Sequence, residues 1–340
     1  MKISFGKIDH VVVIGGSWVA AEFLKILSKS KFSFSLISSE RHMNDIVDSN
    51  GLTLREFSSL NNIKFHLSSD INNDNYLQRF IKKNTLAVAM GAPWVFDKKI
   101  VKFFDNKIVD FMGIPLPEYR GGAHYTWQIL SNNRNGACNI QLINGGKNSF
   151  HKGPIVKSNK YLFPKKSFTP QDYFIYALKK ESFFLRNFLK EIKDEKEFNT
   201  ISLNEKNSSY YPFLNTKKNG WINWSWKSEE LIKFINAFGD PYSGASTLLK
   251  GERVFIKDVK IKSKIQDFHP FHAGLVIKKE KYESQVISNN KILVIKGFYD
   301  ENENNIINKV KEGDRLYTSN NILDEAMSFE AKYDASGLKK

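Results

Sequence analysis

The side chains best suited to proton transfer in this 340-residue chain are one aspartate and two histidines. Asp110 lies in the segment Lys-Ile-Val-Asp-Phe at 107–111, which predicts a strand, and His124 and His151 follow it along the chain. Open α/β sheets bind ligands beyond the carboxyl ends of their strands, so we expect Asp110 to face a substrate. A carboxylate within hydrogen-bond reach of an imidazole forms a proton relay. These three residues are therefore the predicted catalytic set.

Four short motifs surround these residues in a fixed order. They are Leu-Pro-Glu-Tyr-Arg-Gly-Gly at 116–122, Gly-Pro-Ile at 153–155, Trp-Ile-Asn-Trp-Ser-Trp at 221–226 and Pro-Tyr-Ser-Gly-Ala at 241–245. Their order and spacing resemble the formyltransferase family, which includes methionyl-tRNA formyltransferase and the amino-sugar N-formyltransferases. Members of that family move a formyl group from formyl-tetrahydrofolate to an amine. The resemblance extends over nearly the whole chain and is most specific at 107–156.

The resemblance also identifies where this chain departs from the family. Members carry a catalytic Asn and His before the proline of the first motif, and an Asp before the second motif. Counting back from Pro117 places Asp110 at the Asn position and Met112 at the His position. Counting back from Gly153 places His151 at the Asp position. An ionised Asp110 only accepts hydrogen bonds, so we expect it to repel a developing oxyanion, and Met112 has no titratable proton.

These substitutions leave two hypotheses open. In the first, the site is rewired: Asp110 orients His124 or His151, and the chain remains a folate-dependent formyltransferase. In the second, transfer chemistry is lost, and the chain is a non-catalytic relative that binds folate or another ligand. Partnered titratable groups in a cleft favour function without proving it. Because members of this family are generally enzymes, we favour the first hypothesis.

The resemblance implies the remaining site residues. The segment that lies along the folate in family members corresponds to Met90, Gly91, Ala92, Pro93 and Trp94, and Ile143 is expected beside it. Tyr119, Arg120 and Gly121 are the expected substrate contacts, because the planar guanidinium of Arg120 suits an anionic group. The alternative for Arg120 is a structural role in which it bonds backbone carbonyls of the turn.

The expected acceptor is the amine of a small molecule or of a nucleotide-linked amino sugar. Family members that act on tRNA carry a basic loop after the second strand, whereas residues 39–45 here read Ser-Glu-Arg-His-Met-Asn-Asp. This composition disfavours a methionyl-tRNA formyltransferase, which stays as a second alternative. The net charge of +15 keeps an RNA-binding module open as a third class, although the lysines are not gathered in one stripe.

Alternating strands and helices are expected to position the site. Apolar runs predict strands at 10–14, 32–37, 86–90, 107–111 and 139–143, and a pair of glycines after the first leads into a helix. A capped helix is predicted from Thr169 to residue 192. The polar stretch 193–209 has the composition of a linker. This pattern predicts an α/β fold, with a doubly wound, Rossmann-like formyltransferase domain at residues 1–205.

The second predicted domain, residues 206–330, is a small OB-like β-barrel. Short apolar runs at 253–256, 274–277 and 291–295 are separated by turn residues, which is typical of antiparallel barrels. A short helix at 229–238 precedes them. From residue 300 the chain is acidic and rich in Asn, so we expect its end to be loosely ordered.

Composition excludes several other classes of protein. No apolar run approaches the roughly 20 residues of a transmembrane helix, and the start of the chain is unlike a signal peptide. The single cysteine, Cys138, excludes an internal disulfide or a cysteine zinc site. The turn Gly-Gly-Ser-Trp at 15–18 lacks the dinucleotide-binding fingerprint. We therefore expect a cytoplasmic transferase without a metal or a nicotinamide cofactor.

Overall fold

The computed structural model describes residues 1–146, 151–262, 268–334 and 337–338. The strands before residue 165 are β1 (Lys2–Ile3), β2 (His10–Gly15), β3 (Ser33–Ser38), β4 (Phe65–Leu67), β5 (Thr85–Met90), β6 (Ile108–Met112), β7 (Arg120–Gly121), β8 (Asn135–Leu142) and β9 (Ile155–Leu162). The helices of the first 193 residues are α1 (Trp18–Ser28), α2 (Glu40–Met43), α3 (Leu54–Leu60), α4 (Lys98–Phe103), α5 (His124–Leu130) and α6 (Pro170–Lys193).

A seven-stranded sheet organises this part of the chain, in the order β4-β3-β2-β5-β6-β8-β9. The first five strands of that order are parallel, and β8 and β9 are antiparallel to their neighbours. Strands β2 and β5 are buried along their whole length, as expected where helices cover both faces. The chain winds outward from β2 in one direction and from β5 in the other, so the predicted doubly wound fold is confirmed.

Helix α6 packs against one face of this sheet. Its start is set by a capping box in which the Thr169 side chain accepts from the Asp172 N–H and the Asp172 side chain accepts from the Thr169 N–H. Pro170 occupies the first turn, where its missing N–H is harmless. The side chains of Phe184 and Phe188 are buried in the core that includes residues of β6 and β8. The predicted helix is confirmed to within one residue at its end.

The C-terminal part is mainly antiparallel. Its elements are β10 (Phe198–Asn199), β11 (Tyr210–Tyr211), α7 (Thr216–Asn219), α8 (Ser228–Ala237), β12 (Ala245–Leu249), β13 (Glu252–Ile261), β14 (Val276–Lys279), β15 (Ser284–Ile287), β16 (Ile292–Tyr299), β17 (Leu316–Tyr317), α9 (Asn320–Ser328), β18 (Tyr333–Asp334) and β19 (Gly337–Leu338). Six strands form a curled sheet in the order β14-β15-β16-β13-β12-β17. A bridge between Leu275 and Arg315 joins its two ends, and α8 packs on its core. The predicted barrel-like architecture is confirmed.

Two expectations about polar segments were wrong. Residues 300–334 are not a loosely ordered end, because β17 pairs with β12 and α9 follows it, whereas residues 335–336 and 339–340 lie outside the described residues. The stretch 193–209 is not a free linker either, since β10 pairs with β1 and the Arg120 side chain bonds Glu205 and Ser208. In the part of the chain that the structure describes, no helix has the length and apolar character needed to cross a bilayer.

Candidate active site

A cavity of about 570 Å³ opens beside the carboxyl ends of β2, β5 and β6, next to the point where the strand order reverses. Small-molecule sites span roughly 300–1,000 Å³, and open α/β sheets bind ligands at this position. The cavity is lined by Gly16, Arg41, His42, residues 91–96, Asp110, Met112, Gly121, residues 141–143, His151 and Phe213.

Strand β6 places two of the substituted positions on the cavity wall. Side chains alternate along a strand, so Asp110 and Met112 share one face while Phe111 takes the other. Phe111 packs into the core against Phe184 of α6. Because burying Phe111 fixes the register of β6, Asp110 and Met112 both reach the cavity.

Asp110 and His151 come together although 41 positions separate them in the sequence. His151 Nε2 lies 3.7 Å from Asp110 Oδ2. The two side chains are only 9% and 17% exposed. This separation is longer than a hydrogen bond, so a substrate atom can approach both groups without breaking a bond between them.

Burial favours the neutral form of both residues. It raises the pKa of Asp110 to about 7, because a buried carboxylate loses the hydration of its charge. Burial, and to a lesser extent the positive charge of Arg120, lower the pKa of His151 to about 4. With a pKa of about 7, a large fraction of Asp110 is protonated at neutral pH and can donate a hydrogen bond, unlike the ionised carboxylate expected from the sequence.

Arg120 is almost fully buried and holds the backbone at His151. Its Nη2 donates to the His151 carbonyl oxygen at 2.8 Å. The guanidinium also donates two hydrogen bonds to the Glu205 carboxylate, of 2.6 and 2.9 Å, and one to Ser208 Oγ, of 2.6 Å. Such a bidentate pair fixes orientation as well as charge. Arg120 therefore ties the loop of His151 to the segment around Glu205, and it is not among the residues that line the cavity.

The segment after residue 209 forms one wall of the site. Strand β11 runs parallel to β7, and Gly121 has φ of +107°. A Cβ atom at Gly121 would lie 1.9 Å from the Tyr211 carbonyl oxygen, so only glycine fits there. Phe213 comes just after this pair and faces the cavity. This segment lies just beyond the predicted linker at 193–209, and its pairing with β7 makes it part of the wall.

Most residues predicted to lie along folate do line the cavity. They are Gly91, Ala92, Pro93, Trp94 and Ile143. Trp94 is anchored from behind, since its indole N–H donates to the Ser69 carbonyl at 3.1 Å. Met90 is fully buried behind the lining, where its carbonyl accepts from the Gly16 N–H at 3.1 Å. The backbone after β5 thus provides an open, mostly apolar face.

Two other predicted residues lie away from this lining. His124 begins α5, its ring packs 4.2 Å from that of Tyr125, and burial lowers its pKa to about 4. Tyr119 stacks on Tyr211 at 4.9 Å and accepts from the Asn133 amide through its hydroxyl. Neither is among the cavity-lining residues, so the structure joins Asp110 to His151 and not to His124.

Several residues that line or support the cavity were not among the predicted site residues. Arg41 and His42 face it from α2, and Gln141 of β8 faces it beside Asp110, its strand partner. Gln141 Nε2 donates to the Gly153 carbonyl at 2.6 Å, which anchors the second motif. Glu205 was missed because nothing near it in sequence indicates a partner 85 positions away. The adjacent basic residues Arg41 and His42, just after β3, are a sequence signal that could have indicated their part of the lining.

No cluster of three or more potential metal ligands occurs among the described residues. Cys138 is a free, buried thiol on β8, and burial raises its pKa above the ordinary range. An inert thiol of this kind packs as a small hydrophobic residue.

Comparison with known proteins identifies the C-terminal part by sequence. Residues 215–307 match the family model described as formyl transferase, C-terminal domain. No curated protein matches the amino-acid sequence significantly.

Comparison of whole structures extends the likeness to the N-terminal sheet. The sugar 3N-formyl transferase WlaRD, crystallised in the presence of dTDP and 5-N-formyl-THF, superposes with a TM-score of 0.63 at 16% identity, over 86% of this chain and 98% of that one. An N-formyltransferase from Helicobacter canadensis, in complex with folinic acid and dTDP-3-aminofucose, gives 0.64 at 17% identity, over 86% and 100%. A 4-N formyltransferase from Francisella tularensis gives 0.53 at 15%, over 74% and 93%. At these identities the likeness establishes the fold.

Proposed function

We propose that this chain, which resembles the formyltransferase family in its fold and carries the family's C-terminal domain, transfers a formyl group from formyl-tetrahydrofolate to the amine of a nucleotide-linked amino sugar. The observation that carries the proposal is the meeting of Asp110 and His151, 3.7 Å apart, on the wall of the large cavity. In this proposal Asp110 supplies the oxyanion donor from the family's Asn position, and His151 supplies the base from the family's Asp position.

Asp110 takes the part that an amide plays in the family. In its neutral form the carboxyl O–H donates to the formyl oxygen as negative charge develops there. Burial raises its pKa to about 7, so this form is well populated at neutral pH. A carboxylic acid kept neutral by an apolar site is an established way to build such a donor.

His151 acts as the general base in this scheme. As the new C–N bond forms, its neutral imidazole removes the proton from the acceptor nitrogen. A pKa of about 4 keeps the ring unprotonated above that pH, although a base this weak gives a small driving force. Formyl-tetrahydrofolate supplies the formyl group. As the bond between the formyl carbon and the folate nitrogen breaks, the protonated His151 returns its proton to that nitrogen, and tetrahydrofolate leaves. Met112 fills space on the wall without taking part in proton transfer.

The donor fits the strip of the cavity made by residues 91–96 and Ile143. This strip combines backbone groups at the end of β5 with the apolar side chains of Trp94 and Phe96. Gly91, with φ of +65°, keeps the edge of the strip free of a side chain. Similar folds have been crystallised with folate derivatives, which supports the same donor here.

Arg120 is proposed as a positioning residue, not a substrate contact. Its guanidinium is already committed to Glu205 and to the His151 carbonyl. Fixing that carbonyl fixes the start of the His151 side chain relative to β6. Gly121 stays a proposed contact because it lines the cavity.

Transfer should be tested by mass spectrometry of a dTDP-linked amino sugar incubated with the whole chain and formyl-tetrahydrofolate. A gain of one formyl group per amine, lost in Asp110→Ala and His151→Ala, is the expected result. Calorimetry with the folate is run on all three proteins as a control for binding. Folate binding without turnover in the parent chain would instead favour a non-catalytic relative. Formylation that survives both substitutions would remove these residues from the mechanism.

A further inference from the structure

The cavity contains a second polar region, formed by Arg41 and His42 of α2, which the proposed transfer does not use. Arg41 Nη2 lies 2.6 Å from His42 Nε2. A guanidinium has donors and no acceptor, so His42 Nε2 must be the nitrogen without a proton. Burial and the nearby Arg41 charge lower the pKa of His42 to about 4. The neutral ring therefore carries its proton on Nδ1.

Two N–H donors of this pair are left over. Arg41 Nε and His42 Nδ1 are shielded from solvent and have no hydrogen-bond partner within the described ranges. His42 is only 4% exposed. Buried donors in native proteins nearly always have an acceptor, and an exception is commonly explained by an ion, water or ligand that binds there.

The charge of Arg41 is also uncompensated at close range. No carboxylate of the described chain lies within 4.0 Å of its guanidinium. Asp45 is attracted from farther away, since the Arg41 charge lowers its pKa although burial raises it by more. A neutral imidazole accepts a hydrogen bond without cancelling a positive charge. A partly buried guanidinium with such a partner favours an added anion.

The surroundings support an anion at this end of the cavity. A Cβ atom at Gly16 would lie 2.6 Å from His42 Cβ, so the histidine packs directly on the turn before α1. Ser17 caps α1, and the first turn of that helix has no acidic residue. The partial positive charge of a helix amino end adds to the charge of Arg41.

We infer that Arg41 and His42 form an anion subsite, which holds a phosphate or carboxylate group of one of the two substrates. Only the identity of the substrates rests on the proposed function. The shared chemistry belongs both to the diphosphate of a nucleotide-linked acceptor and to the glutamate carboxylates of a folate. Arg41 supplies the charge, and His42 orients the guanidinium through its unprotonated Nε2.

Calorimetry on the whole chain tests this with four probes: inorganic pyrophosphate, dTDP, tetrahydrofolate, and tetrahydropteroate, which lacks the glutamate. Loss of a charge-assisted bond in Arg41→Gln should weaken binding roughly ten- to a hundredfold. If pyrophosphate and dTDP lose affinity, the anion comes from the acceptor. If tetrahydrofolate loses affinity and tetrahydropteroate does not, it comes from the folate. Arg55→Gln is the control, because Arg55 pairs with Glu40 on the surface and does not line the cavity.

Parental affinity of Arg41→Gln for every probe, or equal losses in the Arg55→Gln control, would overturn the subsite, as would a parent chain that binds none of them. Thermal melting verifies that both variants are folded. Nitrogen-15 NMR of the parent gives a second readout: we expect the Nδ1–H tautomer of His42, and an Nε2–H tautomer contradicts the inference. Loss of binding in Arg41→Gln without any formyl transfer by the parent would retain the subsite and reject the proposed function.

Discussion

Replacing Asp110 by Asn tests whether a neutral carboxyl group stabilises the developing oxyanion. The amide of Asn donates a hydrogen bond at every pH, whereas Asp110 donates only when protonated. With a pKa of about 7, the protonated fraction falls roughly tenfold for each pH unit above that value, to about 1% at pH 9. The ratio of kcat/KM in Asp110→Asn to that in the parent should therefore rise about a hundredfold between pH 6 and pH 9.

The assay measures formyl transfer across this pH range at low acceptor concentration. Protonation of the acceptor amine affects both proteins equally, so it cancels in the ratio. Glu181→Gln is the matched control, because burial raises the pKa of Glu181 to about 8 and this carboxyl does not line the cavity. Its ratio to the parent should stay flat. A flat ratio for Asp110→Asn as well would refute the role assigned to Asp110.

Three further predictions concern stability and positioning. The folded-state pKa of Asp110 is raised from 3.8 to about 7, so stability is lost as pH rises through that window. Asp110→Asn should therefore unfold in urea with up to about 4 kcal/mol more free energy than the parent at pH 8 and with little difference below pH 4; equal differences at both would contradict this. Arg120→Gln should lower the free energy of unfolding by about 1–3 kcal/mol and reduce kcat more than it raises KM, because His151 loses its anchor; unchanged kinetics would reject that anchor. Gly121→Ala should destabilise by more than Gly251→Ala, since both have positive φ but only the first meets a carbonyl, and backbone strain alone accounts for about 1–3 kcal/mol; equal thermal shifts would count against the clash.

The order of the main strands and helices was predictable because each is indicated by a local sequence pattern. Strands β2 and β5 are continuous apolar runs, and the Thr-Pro-Gln-Asp start of α6 carries its own cap. These signals depend on residues within a few positions of each other. Strand β9 was not predicted, since its outer half is polar and only pairing with β8 makes it a strand.

For the candidate site too, local sequence predicted some features and the tertiary structure decided the others. Sequence alone identified Asp110 and His151 as substituted positions, because fixed spacing from Pro117 and Gly153 locates them. It did not give their protonation, which depends on how much of the sheet and loops excludes water around them. Burial and long-range contacts depend on the fold of the whole chain. The raised pKa of Asp110, the Arg120–Glu205 ion pair and the Arg41–His42 pair in the cavity were therefore decided only by the tertiary structure.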